Sequence, residues 1–414
     1  MSFHDELPGH APTIPSFPQR SLVHRLLACL LLVFLPIVAT AQDALPDGHG
    51  RWIGTWEEVS GRGTIYDFRF EPDGAVQVEK SAGSHFVNER LSWRWQPVGD
   101  DIQLLGASTG FPELENSVLH KQSARHYTLD MGDGKRIDIR RSFPALSWLH
   151  AAFLFLFLLV TNEICRRFKP APYIAFFVLP IVLIPVFMGS GFDTMFRWVK
   201  LYSAVVGGVF FTLFRFNGLD RYRWARLAVA FILGFNILEA CTQDYSNHQP
   251  ANYLNALAGL LNVVTISRWA GIRRDDQPPH DMLWPGMTVG WIVAYDIWNF
   301  TFVYLNFPNT ALFTLLLVVA PTLAAILIKK GTWMQARAYT LSIYMMYIFS
   351  LRAFAEHTLN LQFVVPLPRS ESIALTLAAL SLAANLIYAF LHFRWRLTGK
   401  APARLQVGQN ESAI

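Results

Sequence analysis

Asp296 and Asn299 stand one helical turn apart inside the apolar stretch Met282–Asn306, MLWPGMTVGWIVAYDIWNFTFVYLN. A carboxylate at membrane depth costs about 2.5–3.5 kcal/mol on insertion scales, so it is turned toward protein groups and marks a functional position. Other polar residues belong to the same layer when each apolar segment is counted from its cytoplasmic end. Glu239 is 13 residues beyond Arg226, Asp296 is 13 beyond Leu283, Arg352 is 15 beyond Arg337, and Asn255 is 13 before Arg268. At the helical rise this predicts a common height of about 20 Å. Arg352 and Glu356 share one face of their segment, as do Asp296 and Asn299. The chemistry predicted is an intramembrane polar pocket in which Arg352 holds an anionic group. Glu239 and Asp296 would orient that group or exchange protons with it, and Asn255, Asn299 and Glu356 would complete the lining.

Other readings of the same residues stay open. They could form a packing network that fixes helix contacts, or supply a carboxylate general base to an enzyme acting on a lipid-like substrate. A secondary transporter needs polar groups that continue to the cytoplasmic side, and the thin set there, Asn162, Glu163 and Asn385, argues against it. His248 and His357 lack the spacing of a metal motif, so no metal and no cofactor is expected.

The elements that must position these groups are membrane helices. The chain has 414 residues, 52% hydrophobic and 16% charged, with a mean hydropathy of +0.28, too apolar for an ordinary soluble protein. Nine apolar segments are predicted at 145–165, 171–188, 199–216, 224–241, 252–269, 283–305, 310–328, 338–357 and 372–393. The loops expected in the cytoplasm hold 17 Lys and Arg, among them Arg166, Arg215, Arg226 and Arg337, whereas the short outer loops hold Arg197, Lys200 and Arg369. This asymmetry places the N-terminal part outside and the C-terminus in the cytoplasm. It also accounts for the net charge of +5 without nucleic acid, which is excluded as a partner. The partners implied are the bilayer and a small amphipathic ligand, and the oligomeric state is not legible. Gly207-Gly208 predicts a close helix contact.

Ahead of the membrane domain, 145–396, the pattern differs. Residues 1–25 are rich in proline and read as a disordered leader, and 26–41 as a signal peptide with Ala39-Thr40-Ala41 as its cleavage site, with a retained signal anchor as the rival reading. From 43 to 142 short strand-like pieces such as TIYDFRF, AVQVEK and RIDIRR alternate with turns, including Pro72-Asp73-Gly74 and Gly132-Asp133-Gly134. They predict a small exported all-β domain. Residues 397–414 read as a disordered cytoplasmic tail. Cys165 and Cys241 fall at opposite membrane faces and cannot pair.

Two resemblances follow from strings in the chain. Gly54-Thr55-Trp56 in the first strand and Arg140-Arg141 in the last resemble the lipocalin-like group, which implies a barrel with a tryptophan at its floor. The runs TNEICRRFK, NILEACTQD, DMLWPGMTVGWIVAYDIWNF and APTLAAILIKKGTWMQARAYTL, spread over 145–360, resemble a family of bacterial multi-pass membrane proteins with no assigned activity. That resemblance implies an autonomous membrane module and carries no catalytic residue across. The fold class expected is therefore an α-helical polytopic membrane domain of about nine spans behind a lipocalin-like barrel. The place expected is the cytoplasmic membrane of a Gram-negative-type bacterium.

Overall fold

The computed structural model describes residues 50–57, 63–71, 74–82, 85–106, 114–123, 126–131, 136–141, 144–189, 195–307, 311–358, 367 and 370–398. The predicted leader, signal segment and nearly all of the tail lie outside the described residues, as do Pro72-Asp73 and Gly132-Asp133-Gly134 of the predicted turns.

Eight antiparallel strands come first: β1 (Gly50–Glu57), β2 (Gly63–Phe70), β3 (Ala75–Ala82), β4 (His85–Val98), β5 (Asp101–Leu105), β6 (Val118–Ser123), β7 (His126–Asp130) and β8 (Arg136–Arg141). Each pairs with its neighbour in sequence, and β8 returns to β1 with Trp52 opposite Arg141 and Thr55 opposite Asp138, closing a barrel. Alternation is what folds it: Tyr66, Phe68 and Phe70, then Val76 and Val78, then Ile137 and Ile139 all point inward and are buried. This up-and-down topology is the one the lipocalin-like resemblance implies. The side chains of Trp56, Arg140 and Arg141, on which that resemblance rests, lie outside the described residues. The core tryptophan on view is Trp52, whose ring meets Tyr127 edge-on at 4.9 Å. On the outer surface the backbone N–H of Lys121 and the His120 ring, at 2.8 and 2.9 Å, hold the Asp101 carboxyl below its ordinary pKa.

The remainder is helical: α1 (Pro144–Arg167), α2 (Met195–Phe216), α3 (Arg223–Ser246), α4 (Pro250–Val264), α5 (Val289–Asn306), α6 (Ala311–Leu323), α7 (Trp333–Thr358) and α8 (Glu371–Thr398). Between α1 and α2 runs a broken helical stretch, Pro170–Tyr173, π-helical Ile174–Val178, Leu179–Val182 and Ile184–Gly189, interrupted where Pro180 and Pro185 remove backbone donors. Among the described residues five helices are long and apolar enough to cross a membrane, and many of their large apolar side chains face outward. That is the surface of a membrane protein. Close packing at Gly208 follows the expectation, since a Cβ there would stand 2.6 Å from the Phe176 ring.

One predicted helix is shorter than its apolar run. Residues 283–305 were expected to form a single span, but Met282–Leu283 pairs as a strand with Arg273–Arg274, and Pro285-Gly286 turns the chain before α5 begins at Val289. Thr288 caps α5, its hydroxyl accepting from Trp291 N at 3.1 Å.

Candidate functional site

Asp296 lies seven residues past the start of α5, so it stands about 10 Å up that helix and not 20 Å as the longer count implied. Its Oδ2 accepts from Thr322 Oγ1 of α6 at 2.6 Å, and the same hydroxyl accepts from Trp333 Nε1 of α7 at 2.9 Å. Its Oδ1 is buried without a hydrogen-bond partner, and one turn on the Asn299 Oδ1 is in the same condition. Asn299 Nδ2 faces the Tyr295 hydroxyl at 3.4 Å. Among the described residues a cation at the site is Arg337, whose guanidinium acts on both Asp296 and Tyr295 and reaches Leu317 O at 3.4 Å. Tyr295 packs edge-on to Trp333 at 5.1 Å and stacks with Trp291 at 5.3 Å, so one wall of the site is aromatic and rigid.

Glu239 and Asn255 do not join Asp296. Glu239 lies on the exposed side of α3 together with Asn236, while the buried side carries Ile237, Cys241 and Asp244. Spacing defined two faces on α3, and packing against α4 selected the one without Glu239. Asn255 belongs to a different cluster. Asn252, Asn255 and Asn306 each donate an amide N–H to the Asp244 carboxylate at 2.7 Å, and Asn247 donates to Asn306 Oδ1. Ser381 Oγ and Trp298 Nε1 then donate to the Oδ1 and carbonyl of Asn255 at 2.8 and 3.0 Å. Asn306 is ten residues past Asp296 on α5, so the two carboxylates sit about 15 Å apart along that helix. The predicted layer is therefore two separate levels. Arg352 and Glu356 lie in the last turns of α7, and their side chains are outside the described residues.

A third buried carboxylate escaped the sequence reading. Asp281 has no exposed surface and accepts from Arg166 Nη1 at 2.9 Å and Gln335 Nε2 at 3.1 Å, with Arg215 Nη2 at 3.6 Å. Arg166 also donates to Glu163 Oε1 at 2.7 Å. Arg215, equally buried, donates to the carbonyls of Cys165 and Pro279 at 2.9 and 2.8 Å and to the Tyr339 hydroxyl at 3.2 Å. Gln335 Oε1 accepts from Met282 N at 2.7 Å. This hub ties the loop before α5 to α1, α2 and α7. Two of its members, Arg166 and Arg215, were counted as charges that set topology, and nothing in their spacing distinguished them from solvated loop cations. A usable signal was present, because the strings TNEICRRFK and DMLWP supply Glu163, Arg166, Asp281 and Met282 to one place.

Polar groups also continue past Asp296 toward the Arg166 end. Asn262, Tyr388 and His392 are buried there beside the expected Asn385, so the set on that side is larger than expected.

Residues 141–407 match the model of a family described as Family of unknown function (DUF5692). No curated protein and no solved structure matches the chain.

Proposed function

The chain belongs to that family of unknown function, and from this premise we propose that its membrane domain binds a small amphipathic ligand at Asp296 and Asn299. One observation carries the reading: two buried oxygens on one face of α5, one turn apart, both lack a donor. An unmade hydrogen bond at such a group costs about 1–3 kcal/mol. A ligand that presents a hydroxyl or ammonium group to the pair would remove that cost, while its apolar part would rest against the aromatic wall of Tyr295 and Trp333. Two acceptors call for a donor, so the anionic head group expected beside Arg352 gives way to a hydrogen-bond-donating one. The setting we propose is a bacterial cytoplasmic membrane crossed nine times, with the barrel exported as a cover or delivery module and the C-terminus inside. The excess of Lys and Arg in alternate loops supports that orientation.

Native mass spectrometry of the detergent-purified protein tests the ligand. A co-purifying lipid or metabolite is expected on the wild type and should be lost from Asp296→Asn and Asn299→Leu while both variants stay monodisperse. A ligand retained by both variants would refute the assignment.

A further inference from the structure

The seam between α4, α5 and α8 carries more polar atoms than its packing uses. α8 turns Ser381, Asn385, Tyr388 and His392 to one side, and all four are buried. α4 faces them with Asn252, Asn255 and Asn262, none of which has exposed surface. Bonds to α5 fix the order of these groups. Nearest Asn306 is the Asp244 cluster, joined to α8 through Ser381 and Asn255. Next, Trp291 Nε1 donates to Asn262 O at 3.2 Å, and one turn away Ala294 O accepts from Asn385 Nδ2 at 3.2 Å. Then Thr288 Oγ1 donates to the Tyr388 hydroxyl at 3.0 Å, and the His392 ring lies 5.9 Å from the Tyr388 ring. From Asn306 to Thr288 the line covers about 27 Å, close to the hydrocarbon thickness of about 30 Å.

Four atoms along this line are buried without a hydrogen-bond partner: Asn252 Oδ1, Asn262 Oδ1, Asn262 Nδ2 and His392 Nε2. The Asn262 amide is the decisive one, because it makes no side-chain bond at all where a leucine would fill the same space without leaving polar atoms unpaired. An unpaired buried amide is a position that a bridging water would satisfy, each such molecule needing two to four polar partners. The unpaired atoms alternate with hydroxyl and imidazole groups that can relay a proton, and an ionisable residue, Asp244 or His392, stands at each end.

We propose that the α4–α5–α8 seam is a proton path across the membrane domain, running from Asp244 past Asn262 to His392. A proton taken up by the Asp244 carboxylate is handed on through water held at Asn262 and the Tyr388 hydroxyl, and His392 Nε2 accepts it and releases it beyond the bilayer. No covalent bond other than those to hydrogen changes. Asp244 is faced by Cys241 of its own helix and by the amides of Asn252, Asn255 and Asn306, and His392 by Arg396 of α8 and Arg268 of the loop after α4. The path excludes Asp296 and Asn299, so it goes beyond the ligand reading and can fail or stand independently of it.

The test is proton uptake by vesicles of phosphatidylethanolamine and phosphatidylglycerol that hold the full-length protein and a pH-sensitive dye, driven by a valinomycin potassium potential. Uptake several-fold above protein-free vesicles is expected. Asn262→Leu should fall to the protein-free level while its thermal midpoint in detergent is kept or raised, since two unpaired polar atoms are gone. His392→Phe, which keeps the ring contact with Tyr388, should fall likewise and decides the matter if the leucine variant does not fold. Wild-type uptake equal to protein-free vesicles would overturn the path, and so would wild-type rates in a folded Asn262→Leu or in His392→Phe.

Discussion

Asp281 and Asp296 are both buried carboxylates in apolar surroundings, and the protein treats them in opposite ways. Asp281 is surrounded by donors on elements far apart in the chain, Arg166, Arg215 and Gln335, and both of its oxygens are engaged. Asp296 receives one hydroxyl on one oxygen and leaves the other unpaired. A saturated carboxylate locks the parts that meet on it and has no capacity left for a ligand. An unsaturated one is expensive to keep and is retained because something else completes it. Asp244 falls between the two, with three amide donors and, among the described residues, no ion pair.

Substitution by asparagine ranks the carboxylates by how much each holds together. Asp281→Asn should be the most damaging, about 3–5 kcal/mol, because Arg166 and Arg215 lose their shared counter-charge in a buried setting; a drop in the thermal midpoint of the detergent-solubilised protein measures it. If Asp281→Asn melts like the wild type, the contrast with Asp296 is void. Asp244→Asn should cost about 1–3 kcal/mol by the same measurement, since three charge-assisted bonds become neutral ones and one amide must point a donor at another. Asp296→Asn should change the stability read from that midpoint by no more than about 1 kcal/mol while abolishing ligand retention, which separates support from function.

The smallest effect belongs to an exposed carboxylate of the barrel. Asp101 has a lowered pKa in the folded chain, so its contribution is present above the unfolded value and is lost as pH falls through the folded one. The barrel should therefore lose stability below about pH 4, and Asp101→Asn should flatten that dependence while costing under about 1 kcal/mol at neutral pH. Limited proteolysis of the full-length protein across a pH series reads this out, and an unchanged acid profile in the variant would leave Asp101 without a role.

How much of this was legible in the sequence depends on the kind of signal. The strands and the positions of the helices follow from period and composition, which are local properties. Glu239 shows where that stops: a stripe at helical spacing identifies a face, and which face is buried depends on a partner helix that no single segment encodes. Asp296 shows a second limit. Trp284 to Thr288 carry no charge and so read as continuous with the helix they precede, but Pro285 and Gly286 end its regular geometry, and counting through them doubled the height assigned to the carboxylate. Arg166 and Arg215 show a third, since a buried arginine and one that only sets membrane orientation have the same sequence context at a helix end.

The chain of bonds from Trp333 through Thr322 to Asp296 has a fixed sense. An indole nitrogen can only give its hydrogen, so the threonine oxygen must receive there and spend its own hydrogen on Asp296 Oδ2. Oδ2 is thereby a receiver while the acid is ionised. What the ionised Asp296 takes from its surroundings, whether a hydrogen ion or a contact from a guest molecule, meets the unpaired Oδ1 first, which makes a two-oxygen group behave as a single-sided port.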